Sequence, residues 1–220
     1  MKKYIQSFLF APIFVTMSCL LFTNIIYIFF PHLIPQITDD FQLIDILTIS
    51  SYGLLFVTLI IFYKDFKNKL DYSIYIFLTL AALLRELGIQ HWLTSTDTTA
   101  IKMRFFTNPN NPLHEKIISA LVILAVLIPL LYLAKKFAIY LVKTFLKFNP
   151  VSWSIGTFFT FLICGEFVDR FPSNYRKSFD IPLDLTVKNN LEVLEESSEI
   201  FLALIIIIAI VQYHLIHKKR

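Results

Sequence analysis

Six stretches of the chain stay mostly apolar over a membrane-crossing length, at residues 8–30, 43–63, 70–90, 117–134, 151–168 and 194–217. A spanning helix needs about 20 such residues. The pattern therefore predicts an all-α, six-helix transmembrane bundle that forms a single integral membrane domain over residues 1–220. The first apolar stretch runs to Phe30, well past the roughly 7–15 residues of a signal-peptide core, so it is expected to stay as a first helix. In "VTMSC" the Leu expected three positions before a lipoprotein cysteine is missing.

Polar positions interrupt this pattern in two long connections. Residues 91–116 hold "TSTDTT", in which Asp97 and Thr98 are expected to cap a short interfacial helix "AIKMRFF". "TNPNNP" then forces turns before the fourth span. Residues 169–190 form the second connection, and Asn189 or Asn190 is expected to cap the last helix. On the opposite side, 135–147 carries Lys135, Lys136, Lys143 and Lys147 and reads as a lysine anchor along an anionic membrane surface.

Composition confirms the class. Hydrophobic residues make up 56% of the chain and mean hydropathy is +0.66, above the roughly 45–50% apolar share of soluble domains. The two cysteines, Cys19 and Cys164, both lie in apolar runs, which leaves no disulfide framework. Basic residues cluster at Lys2 and Lys3, "KDFKNK" (64–69), 135–147 and the closing "HKKR". Because Lys and Arg accumulate in cytoplasmic loops, both termini are expected in the cytoplasm of a bacterial inner membrane. The net charge of +4 arises from these topology-setting residues, and no nucleic-acid partner is implied.

The candidate chemistry sits at the predicted outer helix ends. On a helical wheel with Glu195 at zero, Glu199 falls near about 40°, Glu192 near about 60° and Glu196 near about 100°, so one face carries all four. Glu192 and Glu195 fit the first turns of a helix, where the macrodipole favours acids, whereas Glu199 lies beyond that reach. The third span brings Tyr72, Tyr75 and Thr79 onto the face of Glu86, with Arg85 beside it as a structural partner. The second span adds Asp45 with Thr48 and Tyr52, and the fifth adds Glu166, Asp169 and Arg170. The pocket these elements predict is lined by Arg85, Glu86, His91, Lys102, Arg104, His114, Glu166, Asp169, Arg170, Glu195, Glu196 and Glu199. Buried carboxylates normally face a bundle interior or water. Glu86, His91, Glu166 and Glu199 are the donors a divalent metal would take, and such a metal activates water against an ester. His214 and His217 find no other histidine at matching depth, so haem is not expected; they read as interfacial residues, and His32 as a loop residue.

"LRELGIQHWLTSTDTTAIKMRFFTNPNNPLHEKIISALVIL" (83–124), "FVDRF" (167–171) and "LEVLEESSEI" (191–200) resemble a pattern in a family of bacterial multi-pass inner-membrane proteins. The shared elements are Arg85-Glu86, His91, "KMR", Lys116, Asp169-Arg170 and Glu195-Glu196 with Glu199. The resemblance carries no activity. A membrane hydrolase superfamily that includes alkaline ceramidases uses a late HxxxH pair, which the spacing of His214 and His217 does not match.

The functional expectation is a non-catalytic structural or partner-docking module of the inner membrane, contacting lipids and a periplasmic or membrane protein. A metal-assisted hydrolase or transferase on a lipid headgroup and a cation or solute transporter are the alternatives. Whether the chain is an enzyme stays open at this stage.

Overall fold

The computed structural model describes residues 10–34, 43–89, 94–95 and 103–217, without the side chains of Leu33, Met103 and Arg104. Among these residues all regular structure is helical. Seven α-helices follow in order: α1 (Ala11–Phe29), α2 (Leu43–Ile61), α3 (Lys69–Glu86), α4 (Met103–Thr107), α5 (Leu113–Phe145), α6 (Pro150–Phe179) and α7 (Leu185–His217). Short 3-10 turns at Pro31–Leu33 and Tyr63–Asp65 follow α1 and α2.

Five helices, α1, α2, α5, α6 and α7, are long and apolar enough to cross a membrane. The chain is a multi-pass membrane protein by this measure. The expected third span corresponds to α3, but Lys69, Asp71, Arg85 and Glu86 place four charges in its 18 residues. It falls outside the five for that reason.

Three helices overrun their predicted ends. α5 continues through Pro129 and the lysine-rich segment to Phe145, so Lys135, Lys136 and Lys143 extend the span's own helix. α6 continues through Pro172 to Phe179, where Asp180 closes it at φ 57°. α7 begins at Leu185, so the connection expected over 169–190 shrinks to 180–184. Its cap is Asp184, whose Oδ1 accepts from the backbone N–H groups of Thr186 (2.9 Å) and Val187 (3.4 Å). The expected Asn189 and Asn190 caps lie inside the helix, and the first turn of α7 holds no acid. The macrodipole therefore does not account for Glu192 and Glu195. At 1.5 Å per residue, α6 and α7 measure about 45 and 50 Å against a hydrocarbon core of about 30 Å.

The chain divides into two compact units. One comprises residues 1–65 and 142–220. Within it α7 is the central helix: α1, α2 and α6 all pack on it. Ile26 and Ile34, near the end of α1, meet Ile44 of α2 and Val193 and Ile200 of α7 in a buried cluster flanked by Phe22, Phe201 and Leu204. α6 approaches α7 closely at Gly165, where a Cβ would stand 3.3 Å from Ser198 Oγ. Deeper in the same seam Ser154 Oγ donates to Gln212 Oε1 at 2.7 Å, both side chains buried.

The other unit comprises residues 66–141. Near the start of α3, Asp71 accepts from Lys136 Nζ at 2.6 and 2.7 Å and from Tyr132 Oη at 3.1 Å on α5. Tyr72 and Tyr75, read from the sequence as part of a polar stripe, pack their rings against Phe66.

Candidate functional site

Over residues 192–200, α7 keeps its buried residues and its glutamates on different sides. With Glu195 at zero, its buried residues Ile200, Val193 and Ser197 fall near about 140°, 160° and 200°, and Ser198 near about 300°. The glutamates, at about 0–100°, are only partly buried. Glu195, Glu196 and Glu199 are therefore kept off the seam that seats α6 and off the apolar cluster with α1 and α2. Glu192 pairs with Lys188 on its own helix at 3.1 Å.

Glu86 and Glu166 also have close basic partners. Glu86 takes both Nε (2.8 Å) and Nη2 (2.7 Å) of Arg85 on a single oxygen, Oε1. Arg85 is half exposed while the Glu86 side chain is nearly buried, as expected when a long guanidinium stem reaches toward water. Glu166 pairs with Arg170 one turn along α6, and both are exposed, as is Asp169. His114 is exposed in the first turn of α5. Asp45 lies in the first turn of α2, partly buried, with Thr48 of its predicted face fully buried below it. His91 and Lys102 lie outside the described residues, as does the side chain of Arg104; Asp97 and Thr98 are outside them too.

Among the described residues no three His, Cys, Asp or Glu side chains gather as a metal-ligand group. His91, the one imidazole of the expected set, is not among those residues. A cleft of about 520 Å³ between α1 and α7 is lined by Phe14, Val15, Phe201, Leu204 and Ile208 and contains none of the predicted residues.

Three polar contacts escaped the sequence reading. His214 Nδ1 lies 2.6 Å from Asp65 Oδ2, and its ring packs on Phe62 with centroids 4.7 Å apart. His214 was assigned to the interface by its neighbours in sequence, and its partner is 149 positions away. The Asp71–Lys136 pair carried a signal, since both residues fall on the predicted cytoplasmic side. Glu115, passed over beside His114, is buried and accepts from Ser95 Oγ at 2.7 Å and from Ser95 N at 3.3 Å.

Comparison with protein-family models, with curated proteins and with solved structures finds no match for this chain.

Proposed function

We propose that the chain is a six-span protein of a bacterial inner membrane, with both termini cytoplasmic, that acts as a non-catalytic module. In this reading α3 is a sixth, charge-bearing span. The charges at helix ends tie neighbouring helices together, and the glutamate face of α7 docks a membrane or periplasmic protein.

The observation that carries this reading is the placing of Glu195, Glu196 and Glu199 on a face of α7 that holds no buried residue over 192–200. Acids at that depth are costly unless they face water or a polar partner. Two further contacts support the topology. Asp65, after α2, meets His214, at the end of α7; Asp71, at the start of α3, meets Lys136, late in α5. Each pair joins residues that the charge pattern assigns to one side.

Reporter fusions test the topology. Fusions ending after residues 67 or 147 are expected to read cytoplasmic, and those after 110 or 182 periplasmic; the same side for 67 and 110 would sink it. Elemental analysis of the purified protein tests the function. Stoichiometric divalent metal, lost in folded Glu199→Ala and His91→Ala variants, would replace the docking reading with a metal-assisted enzyme.

A further inference from the structure

We infer that the head of α5 holds a monovalent hard cation of the sodium type, ligated by oxygens of Glu115, Ser95, Asn111 and Ser119. The site lies wholly within the unit formed by residues 66–141 and does not depend on the docking reading.

Glu115 and Ser119 are four residues apart on α5 and so share one face, one turn from each other. They are the two buried residues of that 33-residue helix, 9% and 1% exposed. Asn111, four residues before Glu115, is 4% exposed in the turn that leads into the helix, and its N–H reaches Asn108 O at 3.3 Å. Its side-chain amide is anchored through Nδ2 to Phe105 O at 2.8 Å, which fixes where Oδ1 can stand. Facing this group, Ser95 brings its hydroxyl to 2.7 Å from Glu115 Oε1.

Glu115 lies in the first turn of α5, where the macrodipole favours an acid, but no side-chain cation among the described residues is paired with it. The hydrogen bonds to Glu115 come from Ser95. Lys116, the adjacent cation, directs its Nζ to Asn108 O at 2.7 Å. Asn111 Oδ1 and Ser119 Oγ are buried with no hydrogen-bond partner. An ionised carboxylate taken out of water without a counter-charge is strongly unfavourable. Buried oxygens left unsatisfied add to that cost, and each calls for a bound water, ion or other physical account.

A hard cation meets all of these demands together, because it binds oxygen and needs no sulfur or imidazole. One formal negative charge with neutral amide and hydroxyl oxygens neutralises a monovalent ion; a divalent ion would keep an excess charge in a buried site. Ser95 itself is exposed, so the ion reaches the site from solvent. Its role is to fasten Ser95 and Asn111 onto the head of α5.

The test uses the full chain in lipid nanodiscs, with thermal unfolding followed in sodium chloride and in choline chloride at equal ionic strength. Sodium is expected to raise the midpoint by about 3–6 °C, as a ligand that binds only the folded state does. The increment should vanish in Glu115→Gln and shrink in Ser119→Ala, which keeps the carboxylate and guards against a folding failure of the first variant. Glu192→Gln, in an exposed pair on α7, should keep the full increment. No sodium increment in the wild type, an equal increment in all variants, or an increment given by calcium and not by sodium would each overturn the assignment.

Discussion

Gln212 is a fully buried polar side chain in the C-terminal half of α7, and its amide oxygen takes a hydrogen bond from Ser154 of α6. Removing one partner of such a pair strands the other away from water, which costs more than the bond itself contributes. In membrane helices these bonds average about 0.6 kcal/mol and reach about 1.7 kcal/mol. Gln212→Met keeps the volume and strands the Ser154 hydroxyl, so unfolding in mixed micelles should show a loss of about 1–2 kcal/mol. The double variant Ser154→Ala/Gln212→Met should recover part of that loss. A double-variant loss equal to the sum of the two single losses would mean that the side chains act independently.

At the scale of elements, the helix ends are where sequence and structure diverge. The apolar runs marked the positions and types of the major helices. Their limits were set by something local signals do not carry. Pro172 and the Asn189-Asn190 pair are breaking signals, yet α6 runs through the first and α7 through the second. Packing of α6 on α7 outweighs a proline or an asparagine, since most helical stability in proteins comes from tertiary contact. The cap that does operate, Asp184, stands between the apolar Leu183 and Leu185. Asp184→Ala should therefore lower stability by about 1 kcal/mol, as loss of an N-cap does. Asn189→Ala should lie within about 0.5 kcal/mol of wild type. The opposite ranking in a thermal melt would return the start of α7 to residue 190.

For the whole molecule, the tethers at the predicted cytoplasmic end join distant parts of each unit: Asp65 to His214 in one, Asp71 to Lys136 in the other. What the sequence made legible was the shared face of the α7 glutamates. The sequence placed Glu195, Glu196 and Glu199 on one face, and the burial of Val193, Ser197 and Ser198 shows which sides of α7 that face avoids. It did not show that Glu166 takes Arg170 of its own helix. Nor did it single out Glu115, whose hydrogen-bond donor Ser95 stands 20 positions away in the chain. Hydrogen exchange should separate the tethers from the rest. Asp65→Asn should speed exchange at amides 62–66 and Asp71→Asn at 71–74, with the Val193–Ile200 stretch unchanged in both. A uniform acceleration would make these pairs part of global stability rather than local fasteners.

The two cysteines differ sharply in exposure: Cys19 is buried at 2% and Cys164 is exposed. A lipid-permeant thiol reagent meets one sulfur per folded chain and two once α1 separates from α7. Mass spectrometry of the alkylated protein thus counts unfolded molecules directly, with no engineered probe. The second adduct should appear at the same denaturant concentration at which helix α1 leaves its seat.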